Sequence, residues 1–239
     1  VVLARGGEGT ADEVLRNADT AMYEAKRAGR GRWVMFDDSM HERVVRALAV
    51  ENDLRRALKA DELFVIYQPV VDLATRSPVG VEALVRWRHP ERGLIPPDRF
   101  IPIADESGLI VDIGEWVLRQ SCCQAKGWHD QGYADLSVSV NVSAVQFAQP
   151  RLLDTVNRAL ADAGLQPQAL TLEITESVIM HDAESAVGML RALKHMGVRI
   201  SIDDFGTGYS SLSYLKRFPI DILKIDKSFV HTLGINDED

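Results

Sequence analysis

Four apolar stretches in the second half of the chain each run into a polar residue able to do chemistry. Leu136 to Val140 leads into Asn141, and Leu170 to Leu172 into Glu173. Val198 to Ile202 leads into Asp203 and Asp204, and Ile220 to Leu223 into Lys224. Short apolar runs of this kind read as buried strands. Positions 141, 173, 203 and 224 are spaced as successive βα units are. Parallel strands closed into a barrel bring their C-terminal ends to one mouth. The pattern therefore predicts that Asn141, Glu173, Asp203, Asp204 and Lys224 meet there. An open doubly wound sheet would spread them along an edge. Any one polar residue after a strand is most simply a cap or turn residue. Four in succession, mostly carboxylate or amide, argue for a site.

Crowded carboxylates repel one another and take up protons unless a cation fills the gap. Oxygen donors suit a hard divalent ion such as Mg²⁺ or Mn²⁺. No His or Cys ends a strand, which argues against zinc. The Asp203-Asp204 doublet could serve two ions, the usual arrangement for phosphate ester hydrolysis. The formal net charge of −8 disfavours gripping a DNA or RNA polymer through its backbone. An anionic ligand must then meet a local positive feature, and bound cations would supply one.

The elements that must position these residues follow from pattern. Residues 12–29 and 42–59 read as amphipathic helices, with a short strand over Trp33, Val34 and Phe36 between them. The second helix reads as a connector. From Leu63 the texture changes. Strands over 64–71 and 79–87, joined through Thr75 to Pro78, form an antiparallel hairpin. Helices over 98–106, 110–131, 150–163, 183–196 and 209–217 then alternate with strands over 136–142, 169–174, 198–203 and 220–225. This alternation predicts parallel strands with helical crossovers. Cys122 and Cys123 are adjacent, lack metal-ligand spacing, and read as two small buried thiols of a protein in a reducing cytoplasm. His89 reads as a loop residue. His129, His181 and His195 read as solvated, and Trp87, Trp116 and Trp128 as packing residues. No apolar run is long enough to cross a bilayer.

Several ordered motifs resemble the EAL family of cyclic-di-GMP phosphodiesterases. They are Tyr67-Gln68-Pro69-Val70-Val71, Glu82-Ala83-Leu84-Val85-Arg86-Trp87, Phe100-Ile101-Pro102-Ile103-Ala104-Asp105 and Val140-Asn141-Val142-Ser143. Glu173-Ile174-Thr175-Glu176-Ser177, Asp203-Asp204-Phe205-Gly206-Thr207-Gly208-Tyr209-Ser210-Ser211 and Leu223-Lys224-Ile225-Asp226 complete the series. The resemblance implies an α/β fold, a TIM-like (β/α)8 barrel whose first strand is antiparallel. It implies hydrolysis of cyclic-di-GMP to linear pGpG with two Mg²⁺ or Mn²⁺ ions. Glu82, Asn141, Glu173 and Asp203 would hold one ion, Asp203 would bridge, and Asp204 would help hold the second. Lys224 would contact the attacking water or the phosphate. Arg86 would bind a phosphate oxygen, Gln68 would line the substrate groove, and Glu176 would anchor the loop that begins at Asp204.

Residues 11–36 resemble the last helix and strand of a diguanylate cyclase domain (GGDEF type), without its signature loop. The expected organisation is a cyclase-like remnant over 1–37, a linker helix over 38–60 and the phosphodiesterase domain over 61–239. About six of the eight barrel strands are expected, so the sequence reads as C-terminally truncated, with turnover by this stretch alone impaired. The parent is expected to be cytoplasmic, with membrane anchoring elsewhere left open. Two other readings stand beside the enzyme: a sensor that binds cyclic-di-GMP without cutting it, and a scaffold that forms a homodimer through the 42–59 helix.

Overall fold

Polar and apolar residues alternate along three neighbouring strands, and the sheet is built on that alternation. The computed structural model describes residues 2, 10–27, 33–206 and 217–232. Val138, Val140, Val142, Leu170, Leu172, Ile174, Ile200 and Ile202 are all nearly inaccessible. They share one core with Leu118, Cys122, Val156, Ala159, Leu190 and Leu193 of the helices. Each fully buried Leu or Ile contributes about 1.5–3 kcal/mol, so this apolar face fixes which way every strand turns. Successive side chains in a strand point to opposite faces. Asn141, Glu173 and Asp203 are thereby forced to the other, inner face.

Two helices open the described chain: α1 (Ala11–Arg27) and α2 (Ser39–Ala57). Residues 33–37, expected to include a short strand, are irregular. A strand needs a neighbouring ladder, and the sheet contains none from this region. The end of α2 packs inward, with Leu54 and Ala57 buried in the main core.

The sheet follows. β1 (Leu63–Val71) and β2 (Pro78–His89) form the antiparallel hairpin, with Gln68 opposite Glu82. A short β3 (Gly93–Ile95), not anticipated from sequence, pairs back on β2. β4 (Ser137–Val142), β5 (Leu170–Thr175), β6 (Arg199–Phe205) and β7 (Ile222–Ile225) add in parallel, giving the order β1-β2-β4-β5-β6-β7. The fold is a mixed α/β sheet of barrel type, and among the described residues it does not close on itself.

The crossovers are α3 (Pro97–Ser107), α4 (Ile110–Asp130), α5 (Ala144–Phe147), α6 (Leu152–Ala163), α7 (Glu176–His181) and α8 (Ala183–His195); α9 (Lys227–Thr232) follows β7. In α4, Ile110, Ile113, Gly114, Val117, Leu118, Ser121, Cys122 and Ala125 form the buried stripe, the i, i+3, i+4 spacing of a core-facing helix. Cys123 is one residue round from that stripe and is exposed, so only one of the two thiols is buried as expected. Burial pushes the Cys122 thiol up to about 12. Ser143 caps α5 reciprocally with Gln146, and Gly114 lets α4 come close, since a Cβ there would lie 1.8 Å from Gln146 Nε2. The helix expected over 209–217 falls outside the described residues except at its end, as does the His181 side chain. Among the described residues no helix is long and apolar enough to cross a membrane.

Candidate active site

Register sets the site. Asn141 on β4 lies opposite Glu173 on β5, and Thr175 opposite Asp203 on β6. Glu82 on β2 is opposite Ser139, two residues before Asn141 on the same face. Lys224 on β7 reaches across to the three carboxylates. Its Nζ donates to Glu82 Oε2 at 3.2 Å, Glu173 Oε2 at 2.5 Å and Asp203 Oδ2 at 3.0 Å. Asn141 Nδ2 donates to Glu82 Oε1 at 2.8 Å. Five side chains from five strands are thus joined in one group.

The electrostatics follow from this geometry. Three carboxylates against one ammonium leave the group net negative. Burial holds the Glu173 carboxyl above the usual range; hydrogen bonds from Lys224 and Ser139 pull the other way, and the Glu82 charge adds to the rise. Burial alone would lower the Lys224 ammonium, but hydrogen bonds to Glu173 and Asp203 hold it well above the ordinary lysine range. Asp204 is exposed and is also shifted upward, by desolvation first and then by Asp203 and Asp226.

The end of β6, up to Gly206, turns tightly. Asp204 has φ +54° and Gly206 φ +98°, the left-handed region that a non-glycine residue enters at some strain. The Asp204 N–H donates to Asp203 Oδ1 at 3.0 Å. The Gly206 N–H donates to Glu176 Oε2 at 2.9 Å, and Glu176 is itself buried. A Cβ at Gly206 would lie 2.7 Å from the Phe229 ring, so this close approach to α9 requires glycine.

Gln68 and Arg86 flank the group rather than join it. Gln68 is exposed beside Glu82 in the β1–β2 register. Arg86 stands on the same face of β2 as Glu82, roughly 13 Å further along, and donates to the Val85 carbonyl at 2.8 Å. His89 is not a loop residue: it ends β2 and is 3% exposed. Its buried place comes from Asp53 of α2, which faces its Nε2 at 3.2 Å. His129 is also tied down, through Nε2 to the Leu136 carbonyl at 2.8 Å, and His195 through Nδ1 to the Arg191 carbonyl at 2.7 Å.

Sequence reasoning missed the residues beneath the carboxylates. Ser139, Thr171 and Ser201 are buried on the same face as Glu173. The period-two alternation of β4, β5 and β6 carried that signal, hidden by reading each strand as one apolar run.

Among the described residues no three His, Cys, Asp or Glu side chains already form a coordination sphere; the carboxylates are gathered on the lysine instead. The donor chemistry nevertheless fits a hard divalent ion. It is oxygen-only, it comes from separate rigid strands, and it already converges on a cationic centre.

Fold and site together define an α/β barrel-type domain with an acidic, cation-centred mouth. The chain belongs to the EAL domain family, whose match spans residues 51–239. It is 49% identical over 240 residues to the bifunctional diguanylate cyclase/cyclic di-GMP phosphodiesterase MucR of Pseudomonas aeruginosa, covering 100% of this chain and 35% of that protein. It is 43% identical over 229 residues to the cyclic di-GMP phosphodiesterase PdeR of Escherichia coli, covering 95% of this chain and 34% of that protein. A solved PaMucR phosphodiesterase in complex with c-di-GMP superposes with a TM-score of 0.77 at 50% identity, over 80% of this chain and 77% of that one. The chain spans about a third of the length of these curated relatives.

Proposed function

We propose that this chain carries the catalytic residues of a cyclic-di-GMP phosphodiesterase that opens the cyclic dinucleotide to pGpG. The observation that carries the reading is the Lys224 ammonium bridging Glu82, Glu173 and Asp203 from three other strands. Relatives named as cyclic di-GMP phosphodiesterases over nearly the whole chain support it.

Glu82, Asn141, Glu173 and Asp203 would hold one Mg²⁺ or Mn²⁺, and Asp203 with Asp204 the second. Such ions supply a water deprotonated near neutral pH and neutralise phosphate charge. Lys224 donates hydrogen bonds to the attacking water or to a phosphate oxygen, stabilising charge that develops there. Arg86 binds a phosphate oxygen, and Gln68 lines the groove for the nucleotide. Glu176 keeps the Asp204–Gly206 turn in place through the Gly206 N–H. The α1 segment is read as the end of a cyclase-like domain, a reading supported by a match to a bifunctional relative that covers all of this chain.

The test is to incubate the intact protein with cyclic-di-GMP and Mn²⁺ and to resolve the nucleotides by chromatography. Formation of pGpG that stops with EDTA is the expected result. Binding without product would replace the hydrolase with a sensor, and neither binding nor product would leave a scaffold.

A further inference from the structure

A hydroxyl-rich layer lies directly under the carboxylates. On β4, β5 and β6 the inner-face residues two before Asn141, Glu173 and Asp203 are Ser139, Thr171 and Ser201. Ser139 pairs in register with Thr171, and Glu173 pairs with Ser201. Thr171 also precedes Glu173 by two residues on the same face. All three hydroxyl groups therefore surround Glu173. Ser139 favours the charged form of the Glu173 carboxyl, against the effect of burial.

The other two are different. Thr171 is 1% exposed and Ser201 fully buried, and neither hydroxyl finds a protein hydrogen-bond partner. Buried hydroxyls are almost always hydrogen-bonded, to protein or to ordered water. Packing alone gives no reason for them: Val and Ala have nearly the same shapes and carry no unmet polar group. Glu173 itself is 4% exposed, so bulk solvent does not complete its hydrogen bonds from below.

We propose that Thr171 and Ser201, with Ser139, are positioning residues for Glu173, holding an internal water beneath its carboxylate so that it presents one fixed orientation to the cation site. The water accepts from both hydroxyls and donates to the carboxylate, which gives it the two to four polar partners that an internal water needs. Outer hydrogen bonds of this kind hold metal-ligating side chains in line and raise their affinity. The proposal rests on the metal-site reading above, and its test separates the two.

Thr171→Val and Ser201→Ala keep shape and remove the hydroxyl. Mn²⁺ binding to the intact protein is measured by titration calorimetry without substrate, alongside kcat and KM. Each variant should bind Mn²⁺ about tenfold more weakly or worse. Turnover should fall at limiting Mn²⁺ and recover at saturating Mn²⁺, with KM for cyclic-di-GMP unchanged. Thr171→Ser should restore parental Mn²⁺ affinity, which a role in packing the Thr171 methyl would not allow. Parental Mn²⁺ affinity in the folded double variant would overturn the proposal. Glu173→Ala is the separate control. If it too binds Mn²⁺ as the parent does, the metal site itself is misassigned; if it loses Mn²⁺ while the hydroxyl variants do not, only the positioning role fails.

Discussion

Two clusters of charged residues sit on β2, and they are built on opposite principles. At the junction of α2 and the end of β2, Asp53 faces His89 at 3.2 Å, Arg56 at 3.2 Å and Arg92 at 3.3 Å. Glu62 accepts from the Trp87 indole at 3.1 Å and lies 3.7 Å from Arg56. His89 Nδ1 accepts the Glu91 and Arg92 N–H groups, both at 3.1 Å, which leaves its Nε2 to donate to Asp53. Every carboxylate there is answered, so the cluster clamps a helix to a strand. Further back on the same strand, Glu82 belongs to a group with more carboxylates than cations. Charge that a fold leaves unbalanced, held rigidly on several strands, is charge reserved for a ligand. The balanced cluster ties a helix to a strand, and the unbalanced one is the group to which the proposed chemistry is assigned.

The contrast breaks most sharply at Glu82. Glu82→Ala should lower kcat/KM for cyclic-di-GMP by on the order of 10²–10³-fold, with the fold retained by circular dichroism. Activity near the parental level would remove Glu82 from the site.

Removing the lone cation tests the imbalance itself. Lys224→Met should impair turnover and change how stability depends on pH in EDTA. Without Lys224, Glu173 is raised by burial and by Glu82, with only the smaller effect of Ser139 opposing them. The folded state then binds protons more readily than the unfolded one, so stability should rise as pH falls from about 8 to 5. In the parent, Lys224 is raised by its partners. Its contribution is complete below about pH 10.4, the unfolded value, and is lost only as pH climbs through the higher folded value. A flat melting temperature for Lys224→Met across pH 5–8 would contradict this account.

The smallest effect on chemistry belongs to the clamp. His89→Ala removes one of the three partners of Asp53 and leaves the Glu91 and Arg92 N–H groups without their acceptor, a loss of about 1–3 kcal/mol. That corresponds to a drop of roughly 2–12 °C in melting temperature for a chain of this size. Mn²⁺ affinity should stay parental. A loss of metal binding without a loss of stability would mean that the two clusters are not separate devices.

Much of this was legible in the letters. Asn141, Glu173, Asp203 and Lys224 announced themselves because each follows an apolar stretch, and a parallel sheet places such positions on one rim. Glu82 was legible only through its motif, since it lies in the middle of β2 rather than at an end. His89 was misread because its burial depends on Asp53, 36 residues earlier, and no local pattern encodes that pairing. The short β3 escaped because three residues carry too little periodicity to show it. The hydroxyls of Ser139, Thr171 and Ser201 look like ordinary strand residues until register sets them around Glu173.

By itself, then, the sequence determined composition of the site and the strands that bear it, because side-chain type and period-two alternation are local properties. Tertiary structure alone decided who touches whom. The Lys224 ammonium reaches carboxylates 21, 51 and 142 residues away. Contacts at such separations depend on strand order and register, which are settled by burying the opposite, apolar face of the sheet.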